Sequence, residues 1–213
     1  MNGRGSSPLR VAVLLSGSGR TFDNLLARQR AGRLPIEIVV VVASRGDVLG
    51  VAKAKAAGIP LEIVRRRDAP DPAAYGAAIG AVLSHWRTEL TVMAGFLHLW
   101  TIPPKQQGRV MNIHPSLLPA FGGKGMHGDA VHAAVLAAGA KVTGCTVHFA
   151  DDRYDSGPII LQRTAPVLDD DDAHSLAARV FEQECVAYPE AIALFAAGRL
   201  ALDGRHVRLV TPS

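Results

Sequence analysis

Blocks of continuous apolar residues alternate along the chain with stretches whose apolar positions recur every three or four residues. Leu9 to Leu15 is a short apolar run stopped by Ser16-Gly17-Ser18-Gly19, which predicts a buried strand. Phe22, Leu25 and Leu26 then fall at helical spacing and predict a helix over Phe22 to Arg30. Ile36 to Ala43 predicts a second buried strand, and Val48 to Ala57 a helix stopped by Gly58-Ile59-Pro60. Leu61 to Val64 and Leu90 to Ala94 are further strand candidates. Between them Pro72 suits the first turn of a helix running to about Arg87.

Near-continuous apolar strands separated by amphipathic helices predict parallel β-α-β units, with the sheet covered on both faces. Ligands of such sheets bind at the carboxyl ends of the strands. Position alone therefore singles out three loops: Ser16 to Thr21, Gly95 to Trp100, and the stretch after Val110-Met111-Asn112.

The second half changes character. Pro115 to Met126 is too rich in Pro and Gly for regular structure. Gly128 to Ala138 predicts a short helix, and Thr143 to Phe149 and Ile159 to Val167 predict strands joined by Ala150 to Pro158. Asp169 to Asp172 precede a long helix, about Ala173 to Ala197. Four acids there suit the positive end of its dipole and read as a capping device rather than a metal site. Leu200 to Val210 reads as a hairpin turning at Asp203-Gly204. The expectation is one doubly wound α/β domain over residues 9–213, mostly parallel, with antiparallel strands toward the C-terminal part. Residues 1–8 read as a short disordered lead-in.

Composition narrows the class. The 213 residues carry 23 Lys and Arg against 19 Asp and Glu, a net charge of +4. So mild and scattered an excess favours small anionic ligands and argues against nucleic acid. Arg65-Arg66-Arg67 reads as a solvated loop. No apolar stretch is long enough to span a bilayer. Cys145 and Cys185 lack metal-ligand spacing and read as buried free thiols in a reducing cytoplasm.

Ser16-Gly17-Ser18-Gly19-Arg20-Thr21 joins a strand to a helix, where backbone amides hold phosphate well. By itself it reads equally as a tight turn. Asn112-Ile113-His114-Pro115-Ser116-Leu117-Leu118-Pro119 carries more. Asn112 and His114 are two apart on an extended segment and point to one side, at a strand's carboxyl end. An amide donor beside an imidazole is what acyl transfer needs, for an oxyanion and for acid-base work. Asp155, followed by Ser156-Gly157-Pro158, sits where a carboxylate could polarise His114. His148 reads as a satisfied core histidine or a support to the site, His85 and His174 as surface residues, and Met93 and Met111 as core.

Asn112 to Pro119 followed by Asp155-Ser156-Gly157-Pro158-Ile159-Ile160 resembles the folate-dependent formyltransferase family. Ala94-Gly95-Phe96, Gly144 to Phe149, Gln183-Glu184 and Tyr188-Pro189 add to the resemblance, in the family's order. Within the family the chain most resembles members that formylate glycinamide ribonucleotide in purine synthesis. A formyltetrahydrofolate hydrolase or another formyltransferase of the same family is the alternative.

The resemblance implies 10-formyltetrahydrofolate as co-substrate, no metal, and a monomer or homodimer. It implies that Asn112 and His114 stabilise the oxyanion while Asp155 tunes His114 and orders a water. Gly19, Arg20 and Thr21 would hold the ribonucleotide phosphate, and Glu184 would meet its glycyl end. Leu97, His98, Leu99 and Trp100 would line the folate cleft with Asn112, and Ala150, Asp151, Asp152, Arg153 and Tyr154 would close on the pteridine by backbone contacts. The family often has Gly-Ser-Asn where this chain has Gly19-Arg20-Thr21, and an arginine for the folate tail where it has Pro72. His127 and His132 receive no role.

Overall fold

Seven strands form one sheet in the order β3-β2-β1-β4-β5-β6-β7. The protein is described here over residues 7–211 of a computed structural model. The disordered lead-in expected of residues 1–8 lies, for residues 1–6, outside that range.

The strands are β1 (Leu9–Leu15), β2 (Ile36–Ala43), β3 (Leu61–Ile63), β4 (Leu90–Met93), β5 (Val110–His114), β6 (Val142–Phe149) and β7 (Ile159–Pro166). The first five are parallel. The β5–β6 and β6–β7 pairs are antiparallel, as expected for the C-terminal part. The helices are α1 (Arg20–Arg30), α2 (Leu49–Ala56), α3 (Pro72–His85), α4 (Asp129–Ala137) and α5 (Ala173–Ala196). A separate hairpin pairs β8 (Leu200–Asp203) with β9 (His206–Leu209). Among the described residues no helix is long and apolar enough to cross a membrane.

Strand β1 shows why its run is apolar throughout. Val11, Val13 and Leu15 face a core shared with α1, α2, α4 and α5, while Ala12 and Leu14 face a second core built on Tyr75, Ile79 and Leu83 of α3. Both faces of the strand are buried, so alternation disappears from its sequence.

Three features fix the elements around the carboxyl ends of the strands. Gly19 adopts φ 72° and caps α1, so the helix starts at Arg20, two residues before the apolar spacing predicts. A Cβ on Gly19 would lie 2.8 Å from the Gly50 Cα, so the loop and α2 pack backbone to backbone. Gly157 passes so close to β6 that a Cβ there would lie 1.8 Å from the Phe149 carbonyl oxygen. Tyr188 of α5 is fully buried, and its hydroxyl donates to the carbonyls of Met93 (3.1 Å), the last residue of β4, and Met111 (2.8 Å), just before Asn112 in β5.

The acidic run caps α5 as expected, but through one of its four residues. Asp172 alone caps α5, accepting from the Ser175 N–H at 2.7 Å in a reciprocal capping box. Asp171 pairs with Arg179, and Asp169 with Lys141. Cys145 is buried as expected, but Cys185 is only half-buried.

Candidate active site

Strand β5 ends in Asn112 and His114, and the positive-φ corner at Asp155 (φ 51°) turns its carboxylate onto both. Asp155 Oδ2 lies 3.4 Å from His114 Nδ1, and Asp155 Oδ1 accepts from Asn112 Nδ2 at 3.4 Å. The three residues expected to act together are thus brought together, with His114 only 3% exposed.

The remaining contacts set the direction of each group. A carbonyl only accepts, so His114 Nε2 donates to the Phe121 carbonyl (2.9 Å). His114 Nδ1 is left facing Asp155. By the same rule His148 Nδ1 donates to the Phe149 carbonyl (2.9 Å). Burial pulls the His148 imidazole below its ordinary value, against the Phe149 carbonyl and Asp155. Neutral, its Nε2 accepts from Asn112 Nδ2 at 3.1 Å and fixes the orientation of that amide. His148 is a support to the site.

For the Asp155 carboxyl, burial pushes upward. The hydrogen bond and charge of His114, with the Gly123 N–H at 2.9 Å, outweigh it and hold the group below the usual carboxylate range. The two contacts of Asp155 to Asn112 and His114 are the long ones of this network.

Two cavities meet at this point, sharing Phe96, Asn112, Tyr154 and Asp155. The larger, about 620 Å³, runs from His114 to the glycine loop. Gly19, Arg20, Thr21 and Glu184 all line it, as expected. The first turn of α1 has no side-chain cap, so its N–H groups remain available to an anion. The Arg20 guanidinium lies over the Phe181 ring, 3.9 Å from its centroid. Burial pushes the Glu184 carboxyl up to about 7, against the pull of His114 and Arg20.

The smaller cavity is a slot of about 60 Å³. His98, Leu99, Trp100, Ala150 and Asp151, five of the residues expected to hold folate, line it. Leu97 does not; it lines the larger cleft. Asp152 also turns elsewhere, its carboxylate accepting from the Ile102 N–H at 2.9 Å. The Tyr154 hydroxyl accepts from the Leu99 N–H at 3.3 Å and bridges the two walls.

Met93 and Phe181 are among the lining residues to which the sequence reading gave no part in the site. Met93, read as core, is half-buried and lines the slot. Tyr154 joins both cavities. Phe181 stands one helical turn before Glu184 on the same face of α5, a spacing that could have revealed it. Arg65, Arg66 and Arg67 line a separate basic hollow of about 590 Å³ with His98, while Arg66 also bonds the Ala69 carbonyl.

A group-transfer site at the carboxyl ends of a parallel sheet, split between two cavities, is the class this geometry defines. The formyl transferase family profile matches residues 9–192, and the chain belongs to that family. It is 34% identical over 195 residues to a phosphoribosylglycinamide formyltransferase of Haemophilus influenzae, covering 91% of this chain and 90% of that protein. It is 38% identical over 195 residues to the trifunctional purine biosynthetic protein adenosine-3 of Gallus gallus, covering 91% of this chain but only 19% of that longer protein. The crystal structure of glycinamide ribonucleotide transformylase 1 from Symbiobacterium toebii superposes with a TM-score of 0.90 at 38% identity, covering 99% of each chain.

Proposed function

We propose that this chain transfers the formyl group of 10-formyltetrahydrofolate to the amine of glycinamide ribonucleotide. One observation carries the reading. The cavity that reaches Asn112, His114 and Asp155 ends at an uncapped helix N-terminus beside Arg20. An acceptor with a phosphate at one end and an amine at the other fits that span. Water, the acceptor of a hydrolase, has no use for a phosphate cradle. The likeness to the Haemophilus influenzae enzyme along most of both chains supports the same acceptor.

In this reading the folate enters the slot beneath Tyr154, whose walls part to admit its ring, and the ribonucleotide fills the larger cleft. The amine nitrogen attacks the formyl carbon where the two cavities meet. The carbonyl π pair moves onto oxygen, which takes the place of the long contacts around Asp155. The Asn112 amide and His114 Nδ1–H stabilise that oxyanion. Because Nε2 already donates to Phe121, Nδ1 donates only when the ring carries both protons, and Asp155 faces that charge. A water held by Asp155 carries the ammonium proton toward N10 of the folate as the tetrahedral intermediate collapses. The bond from N10 to the formyl carbon breaks, leaving tetrahydrofolate and formylglycinamide ribonucleotide. This step draws on no metal.

The deciding experiment offers glycinamide ribonucleotide, methionyl-tRNA and water as competing acceptors for labelled 10-formyltetrahydrofolate. Label is expected in formylglycinamide ribonucleotide. Release as formate at an equal rate without ribonucleotide, or transfer to the tRNA, overturns the reading.

A further inference from the structure

His132 stands in the first turn of α4 and is 4% exposed, yet it lines the larger cleft. Its Nδ1 is sealed from solvent with no hydrogen-bond partner. Nε2 likewise bonds to nothing among the described residues, and it is the nitrogen left to face the cleft. Burial pulls the imidazole below its ordinary value; Asp129 opposes, and His114 adds to the lowering. The ring is therefore neutral near neutral pH, with one proton to place. A sealed N–H without an acceptor is rarer in proteins than an acceptor short of a donor, so the proton belongs on Nε2. A neutral N–H is thereby presented to the cleft.

Its place in the cleft narrows the ligand atom. His132 lines the cavity assigned above to the ribonucleotide and is absent from the lining of the folate slot. It shares that cavity with His114, whose charge reaches it. The phosphate already has Arg20 and the α1 N-terminus. A neutral donor suits a neutral oxygen.

We propose that His132 is a substrate-contacting residue whose Nε2–H donates to a neutral oxygen of the ribonucleotide, a ribose hydroxyl or the amide carbonyl, between its phosphate and its amine. This rests on the acceptor proposed above. It also accounts for a buried ring where an apolar side chain would leave no nitrogen unpaired.

The test compares His132→Leu, His132→Gln and His132→Asn with the wild-type protein. Leu removes both nitrogens at similar volume. The Gln amide reaches the position of Nε2, and the Asn amide only that of Nδ1. KM is measured for glycinamide ribonucleotide and for 10-formyltetrahydrofolate, with a melting temperature for each variant. The Leu and Asn variants should raise the ribonucleotide KM about 3- to 30-fold, the range for one lost hydrogen bond to a substrate. The folate KM should stay put, Gln should remain near wild type, and Leu should melt no lower than wild type. An unchanged ribonucleotide KM in the Leu variant overturns the proposal, as does a parallel rise in both KM values. Should the Leu variant not fold, the Gln and Asn pair decides, and equal KM values for those two overturn it. A wild-type protein that does not formylate the ribonucleotide sinks the underlying reading instead.

Discussion

Pro189 stands four residues after Cys185 in α5, so the Cys185 carbonyl has no helical N–H to accept. It accepts from α1 instead, from Arg28 at 2.8 Å and Asn24 at 3.1 Å. The helix that carries Glu184 and Phe181 is thereby tied to the helix that carries Arg20. Arg28→Ala should cost about 1–2 kcal/mol of stability, since it leaves a half-buried carbonyl short of a donor. Chemical denaturation of the two proteins checks this, and an unchanged midpoint counts against the tie.

Asp155→Asn should lower kcat about 10²- to 10⁴-fold with little change in either KM. Asn tolerates the left-handed backbone of this corner about as well as Asp does, so the fold should survive. Adding Asn112→Ala should cost less than the product of the two separate losses, because both act on one intermediate. Single-turnover rates on the three variants decide it.

Arg20→Ala should raise the ribonucleotide KM about 10- to 100-fold at low salt, the scale of a lost charge-assisted bond to phosphate. The gap to wild type should narrow as salt rises. A change in the folate KM alone would place the phosphate elsewhere.

Gly157→Ala should be among the most damaging small substitutions, costing more than ~3 kcal/mol. The added methyl collides with a backbone carbonyl that cannot swing aside, and the corner holding Asp155 must shift with it. Thermal melting with a circular dichroism spectrum tests the point; a melt within a degree or two of wild type would contradict it.

Glu184 should make stability fall with rising pH. Its folded value, about 7, lies above the model-compound value of 4.5. The folded state therefore binds the proton more tightly, and stability present below 4.5 is lost as pH climbs through 7. Glu184→Gln should flatten this slope and raise stability above neutrality by about 1 kcal/mol, allowing for solvent in the cleft. Melting curves between acid and mildly alkaline pH give the comparison.

The strands and helices were legible because burial on two faces writes itself as apolar runs and helical spacing. Asn112, His114 and Asp155 were legible as a cluster because short-range rules placed two of them, and the Ser-Gly-Pro turn marked the third. Less legible was everything set by one backbone angle or by a loop's tertiary course. The start of α1 depends on the left-handed Gly19, which apolar spacing does not report. Leu97 and Asp152 share loops with Leu99 and Asp151, but the final path of each loop sends them to other partners. Met93 looked like core because a strand's last apolar residue reads the same whether helix or cavity lies beyond it. Asp169 to Asp172 looked uniform, and only the distant Lys141 and the Arg179 side chain separate their roles.

The Tyr188 hydroxyl bolts α5 to the end of β4 and to Met111 of β5, the residue before Asn112. The strands it joins emerge from the ribosome long before the tyrosine does. During synthesis the sheet can therefore pair while the carbonyls of Met93 and Met111 still lack this partner. The cleft gains its floor, and Glu184 its place, only once the last long helix has docked. A chain stalled before that helix would hold a sheet and the cluster of Asn112, His114 and Asp155 without a shaped cleft, its apolar face open to chaperones.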